Sequence, residues 1–360
     1  MQNINYDFKK AKTKFIFLSI RKNFLPTLFI LFTIGLVVFS KNNLLAAKDG
    51  LMLWVNNVVP SLLPFFIATE LLGYTDIVSK LGKLLNPIMR PLFNIPGIGS
   101  FAFLMGIISG YPTGAKIVVN LKNDGLCTKE EAERMIAFTN NSGPLFIIAT
   151  VGISLFGNTL IGILLLITHI LACLSVGFLF RFWKKNKNTP VIYKNSSSSK
   201  EKEEVCFSNL GEILSKSILS SIQTVFVIGG FVVLFSVILS ILKNTHFIDI
   251  LAQMVHPIFS LFGINNISFS NSFISGIIEL TNGIMHISSI PYKEISVNII
   301  ICSFLLGFGG FSVLLQVFSI ISKSDISIRA YFIGKVLHGM FAALYTFIFI
   351  YIFPIFNLNL

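Results

Sequence analysis

The stretch Gly106-Ile-Ile-Ser-Gly-Tyr-Pro-Thr-Gly-Ala-Lys116 decides how the rest of the chain is read. An apolar run stops at a Gly/Pro/Thr knot and resumes as a short helix, with hydrophobic chain on both sides. A looser copy, Ser275-Gly-Ile-Ile-Glu-Leu-Thr-Asn-Gly283, follows about 170 residues later. Two interrupted hydrophobic segments at matching places in two halves predict a substrate or ion site in a membrane protein. Broken helices persist at bilayer depth only where protein or a water-filled cavity satisfies the freed backbone groups.

Composition agrees with a bilayer. Of 360 residues, 54% are hydrophobic and 12% charged, with a mean hydropathy of +0.79. A soluble chain of this length would carry about 25% charge. The 37 phenylalanines suit lipid contact better than a water-facing surface. The lipid bilayer is therefore the first partner, and the expected location is the cell membrane with several passes.

The net charge of +12 reads as topology. Lys9, Lys10, Lys12, Lys14, Arg21 and Lys22 precede the first apolar run, and a second basic group lies between Arg181 and Lys202. Basic residues near span ends stay cytoplasmic, so the N-terminus and the central loop are both placed inside. No aromatic-interleaved basic face accompanies this charge, which argues against nucleic acid as a partner. Cys127, Cys173, Cys206 and Cys302 are dispersed, without the spacing of a disulfide framework or a zinc site. The run from Phe24 to Ser40 ends at Lys41 without a convincing cleavage site and reads as a retained anchor.

Four regions follow: a basic segment and anchor (1–49), a first repeat (50–183), a polar linker (184–206) and a second repeat (207–360). The first repeat holds a span at Leu51–Gly73, an amphipathic stretch Asp76–Phe93, the knot, and a charged helix opened by the capping box Thr128-Lys-Glu-Glu131. A second break, Thr139-Asn-Asn-Ser-Gly-Pro144, precedes a full span at Gly157–Phe182. The second repeat reads as an approach helix Leu210–Ser221, a span Ile222–Leu242 and an interfacial stretch Phe247–Phe262. The knotted segment Phe269–Ile290 follows, then Val297–Ile321 broken at Gly307-Phe-Gly-Gly310, and a last span Ile326–Phe353. In order, Pro87 falls on Pro257, Leu92-Phe93 on Leu261-Phe262, Gly106 on Gly276, Gly114 on Gly283, and Phe138–Gly143 on Phe304–Gly309.

Asp76–Phe93 carries Lys80, Lys83 and Arg90, whereas Phe247–Phe262 has no Lys or Arg, so the two are placed on opposite faces. The expected fold is an all-α polytopic membrane protein, an inverted repeat of transmembrane helices with two re-entrant or broken-helix hairpins.

The candidate contacts for a small solute or ion come from the breaks. Gly110, Thr113 and Gly114 offer backbone and hydroxyl groups near a helix start, and Lys116 is a cation in an apolar stretch. Glu279, Thr281 and Asn282 form a denser polar set, with Glu279 the foremost candidate because an intramembrane carboxylate is costly unless it has a role. A helix-end carboxylate at the interface, or an ion pair such as one with Lys116, is the structural alternative for Glu279. Asn140, Asn141 and Ser142 add amide and hydroxyl groups, with helix capping around Pro144 as their alternative, and Gln316 does the same from the other half. His169, Lys335 and His338 lie within spans and read as side chains satisfied by their neighbours. Phosphate-loop, zinc-protease and nucleophile-elbow motifs are absent from the sequence, so no cofactor is expected and an enzyme is not.

The motifs Leu53-Trp-Val-Asn-Asn-Val-Val-Pro-Ser-Leu-Leu-Pro-Phe65, Pro87-Ile-Met-Arg-Pro-Leu-Phe93, Ser109–Lys116 and Phe138-Thr-Asn-Asn-Ser-Gly-Pro-Leu-Phe146 resemble the YlbJ-type sporulation integral membrane proteins. These belong to the nucleoside-recognition or gate domain group. The resemblance runs from about Gly50 to Phe353 and is looser in the second half. It implies a role in endospore building, particularly cortex formation, with other sporulation membrane proteins as partners. A permease-like or gating activity is the leading expectation and a non-transporting scaffold the alternative.

Overall fold

The computed structural model describes residues 23–184, 208–291 and 295–352, and every regular element among them is helical. The basic residues from Lys9 to Lys22 and nearly all of the 184–206 linker, with Cys206, lie outside the described residues. Helix α1 (Asn23–Val38) meets α2 (Ser40–Leu53) at 99°. A π-helical turn, Trp54–Val58, joins α2 to α3 (Val59–Gly73). The second helix therefore begins at Ser40, earlier than the expected Leu51. The wide turn comes just before Pro60, whose missing N–H would interrupt a regular ladder.

The first half continues with α4 (Ile77–Phe93), α5 (Gly99–Ile108), α6 (Thr113–Asn123), α7 (Lys129–Thr139), a π-helical segment Phe146–Leu155, and α8 (Thr159–Phe180). The second comprises α9 (Leu210–Asn244), α10 (Phe247–Leu261), α11 (Ile267–Ile278), α12 (Leu280–Ser288), α13 (Ile295–Phe308), α14 (Gly310–Ile321) and α15 (Ile328–Phe347). The approach helix and span expected at 210–242 are one 35-residue helix, because no proline divides them. Among the described residues, four stretches are long and apolar enough to cross a bilayer: Thr159–Phe180, Leu210–Asn244, Ser296–Ile321 and Ile328–Ile352. The bent pair α1–α2 makes a fifth if taken as one span. The chain is an integral, multi-pass α-helical membrane protein.

The centre is built by α15 packing on α13, α8 and α7, while α2 and α3 pack on α9 as an outer arm. Gly229 of α9 lies beneath Trp54, where a Cβ would come within 2.5 Å of the indole. Helix α4 leaves Ile77, Leu84, Ile88 and Leu92 exposed, and α10 leaves Phe247, Ile250, Met254, Ile258 and Leu261 exposed. Such stripes at three- and four-residue spacing suit helices lying against lipid.

The capping box forms as expected: Glu131 N–H donates to Thr128 Oγ1 (3.2 Å), and Thr128 N–H donates to Glu131 Oε2 (2.9 Å). The charged turn that follows is buried. Glu133 accepts from Trp183 Nε1 (2.8 Å) and the Ser327 N–H (3.2 Å), and pairs with Lys184 Nζ (2.8 Å). Arg134 donates to the carbonyls of Asn94, Trp183 and Lys184. This clamp fastens the start of α7 to the ends of α4 and α8 and the start of α15.

Each interrupted hairpin closes on glycines. A Cβ on Gly106 or Gly114 would overlap the Thr139 carbonyl oxygen, and a Cβ on Gly283 would overlap Gly276. Gly114→Ala is therefore expected to destabilise the protein by about 3 kcal/mol, seen as a lower unfolding midpoint in detergent. Gly211→Ala, with open space around the new methyl, should leave that midpoint unchanged or higher.

Candidate functional site

Four helix breaks converge at the centre. At the first, α5 ends, Gly110 takes a φ of 77°, the Tyr111–Pro112 bond is cis, and α6 starts at Thr113. At the second, α7 ends at Thr139, and the chain leaves the helix at Asn140 (φ −103°, ψ 97°) before the π-helical segment. The third is the single extended residue Glu279 (φ −137°, ψ 116°) between α11 and α12. At the fourth, Gly309 and Gly310 (φ 88° and 74°) separate α13 from α14.

The breaks are stacked in pairs. A Cβ on Gly110 would lie 2.9 Å from the Gly143 nitrogen, and one on Gly310 would lie 3.0 Å from the Gly276 carbonyl oxygen. Side chains then tie the two halves together. Asn140 Nδ2 donates to Tyr331 Oη (2.8 Å), Ser142 Oγ donates to the Leu306 carbonyl (3.3 Å), and Lys335 Nζ donates to the Asn140 carbonyl (3.3 Å). The Tyr111 hydroxyl is hydrogen-bonded to Ser142 and lies within electrostatic reach of Glu279.

Glu279 is buried, at 3% exposure, and caps α12. Its Oε1 accepts the Thr281 N–H (3.1 Å), and its Oε2 accepts both the Asn282 N–H and Asn282 Nδ2 (each 2.8 Å). Charge-assisted bonds at a helix N-terminus offset much of the desolvation cost of a carboxylate. No cation comes within ion-pair distance of it among the described residues.

The ion pair considered between Glu279 and Lys116 is overturned. Lys116 Nζ points away from the centre, to Glu70 Oε1 (2.5 Å) and Ser220 Oγ (2.9 Å). Lys116 thus belongs to the contact between α6 and the outer arm. Helix position explains this: the side chain leaves α6 on the face turned toward α3 and α9, opposite the glycine face packed on Thr139.

The other candidates reach the centre. Thr113 and Gly114 are buried at the start of α6. Asn141 Nδ2 donates to the Phe138 carbonyl (3.0 Å) and contacts Cys173 Sγ (3.4 Å). Gln316 is buried on α14. The Oδ1 atoms of Asn140 and Asn141 and the Oε1 of Gln316 are buried without a hydrogen-bond partner. Asn140 therefore bridges to α15, while Asn141 both satisfies a carbonyl at the end of α7 and reaches α8.

Residues set aside on sequence stand beside them. His169 Nε2 accepts the Ser142 N–H (3.2 Å), so its ring presents Nδ1 as the second position. His338 Nε2 bonds the His169 carbonyl (3.0 Å), and the two rings lie 4.3 Å apart. Lys335 is 1% exposed. The signals for these residues were present: a lysine inside an apolar span, and two histidines separated by 169 residues, the same offset as the repeat. Tyr111 and Tyr331 carried no signal beyond their type.

Broken helices meeting at a buried polar centre within a multi-pass helical protein define the class: an integral membrane protein with discontinuous helices. The family model described as "Gate: Nucleoside recognition" matches residues 55–178 and 225–324. The chain is also 35% identical over 332 residues to "Sporulation integral membrane protein YlbJ" of Bacillus subtilis (strain 168), covering 89% of this chain and 81% of that protein. The chain belongs to the Gate family and is a YlbJ homologue. No solved structure matches it.

Tyr331→Phe removes the acceptor of Asn140 Nδ2 inside the bundle. A loss of about 1–3 kcal/mol is expected for the amide left unpaired, measured as a drop in the unfolding midpoint. Tyr345→Phe, whose hydroxyl meets Ser175 in a partly buried position, should cost less.

Proposed function

We propose that the protein is a permease-like or gating protein that passes a small solute or ion through the membrane without chemical change during spore-envelope assembly, cortex formation in particular. The observation that carries this reading is the pair of unspent acceptors on Asn140 and Asn141 where the helix breaks meet, with a further buried one on Gln316 of α14. Buried polar atoms without partners are rare and call for a ligand, an ion or water. The proposed binding residues are Gly110, Thr113, Gly114, Asn140, Asn141, Ser142, Glu279, Thr281, Asn282 and Gln316.

The same reading takes the two halves as inverted repeats, with the N-terminus cytoplasmic and α4 and α10 on opposite faces. The element order supports the repeat: α5–α6 and α11–α12 are both broken hairpins, each followed by a helix, a second break and a long span. Rocking of one repeat against the other around the fixed centre then gives alternating access. The YlbJ relative is named as a sporulation protein, which supports the setting in spore formation.

Spore formation in a host lacking its own copy tests the role. Glu279→Gln and Asn140→Leu are expected to give spores with defective cortex at normal protein levels. Lys122→Gln, which removes a surface pair with Asp325, should give normal spores. Normal cortex with both central variants would sink the permease reading and favour a scaffold. Orientation is checked by single cysteines at Lys200 and Asp249, which should label from opposite faces; labelling from the same face would remove the inverted repeat.

A further inference from the structure

Lys335 is the one cation at the centre among the described residues that has no carboxylate beside it. Its amine donates to the Asn140 carbonyl of the second break, at 3.3 Å. Its Cε lies 3.6 Å from where a Cβ of Gly309 would stand, at the fourth break. The Lys335 side chain therefore lies beside the unwound chain of both halves, its amine bonded to the second break and its Cε next to the fourth.

We propose that Lys335 is the proton-binding group of this site and that the proton is its coupling ion. This rests on the permease reading above. As an ammonium, Lys335 supplies the positive charge that faces the acceptor-rich segment Asn140–Asn141 and holds the second break against the fourth. On losing its proton to water on the face to which the centre opens, it becomes a neutral amine, keeps its lone pair, and no longer binds the Asn140 carbonyl as a cation. The two breaks are then free to separate. A tethered ammonium in this position takes the place that a sodium ion would need among the same oxygens.

The surroundings leave this charge uncompensated. From its own helix, Tyr331 and His338 face it; from α8, His169 and Cys173 do. Helix α14 has no titratable side chain, and that of α13 is Cys302. On α7, Glu133 and Arg134 are spent at the far end in the clamp with Trp183 and Lys184. Tyr111 stands between this group and Glu279, which is held by the N-terminus of α12. An intramembrane ionisable group of this kind is the usual mark of a proton relay, and a lysine changes its charge far more readily than an arginine.

Proteoliposomes carrying the full chain, adsorbed on a solid-supported membrane, test this with the proton itself as the probe. A rapid pH jump is expected to give a transient current in the wild type and in Lys122→Gln. A sodium jump at constant pH should give none. The pH current should vanish in Lys335→Gln and also in Lys335→Arg, which keeps the charge but does not release its proton. Should Lys335→Gln fail to fold by gel filtration, Lys335→Arg alone decides. A pH current that persists in Lys335→Arg overturns the proposal, as does a wild type that responds to sodium only or to neither ion. Failure of the permease reading shows separately, as normal cortex with Glu279→Gln and Asn140→Leu, whatever the currents.

Discussion

A backbone interrupted inside a bilayer has to find partners for every N–H and C=O that the helix gives up. This one constraint organises the molecule. The first and second breaks lie against each other through Gly110 and Gly143, and the third and fourth through Gly276, Leu280 and Gly310. The polar side chains at the centre then join the two stacks, through Tyr331 to Asn140, Ser142 to Leu306 and Lys335 to Asn140. Each break is tolerable because another break is beside it.

Close approach is what makes the stacking possible, and glycine is what makes close approach possible. The Thr139 carbonyl sits where side chains at Gly106 and Gly114 would be, and Gly307 meets Gly339 in the same manner. Such contacts between small residues replace the hydrophobic driving force, which is weak between helices in lipid. Apart from Glu279 and Lys335 at the centre, the charged contacts lie at the rims of this arrangement. Glu133 and Arg134 bind the ends of four helices on one side, while Glu70 and Lys116 link the hairpin to the outer arm.

Much of this was legible in the chain. The Gly/Pro-rich knots marked three of the four breaks, and the single residue Glu279 marked the other by its charge. The capping box at Thr128 predicted the start of α7, and Pro87 and Pro257 fell inside the matching amphipathic helices. What remained hidden was partner choice. Lys116 and Lys335 are both lysines in apolar surroundings, and only the helix faces decide that one reaches Glu70 and the other Asn140. Burial of Glu133 was equally hidden, because a charged first turn after a capping box looks like a solvated one until the Trp183 indole and the Ser327 amide are brought to it. The unbroken α9 also went unread, since its serines Ser217 and Ser221 suggested a polar approach helix but instead line its buried face.

The outer arm has a consequence for how the chain comes together. Phe66, Val225, Ile228 and Val232 form a cluster of their own, apart from the two larger clusters at the centre, with Trp54 bonded to the Val225 carbonyl at 3.0 Å. The partners in this cluster are separated along the chain by helices α4 to α8. During synthesis, α2 and α3 enter the membrane well before α9 exists, so their packing face is left to lipid meanwhile. The arm thus contributes contacts of high sequence separation, which form late, while the first broken hairpin can already close on the second break. The arm can close once α9 is made, whereas the contacts of α15 with α7 and α8 wait for a helix made later still.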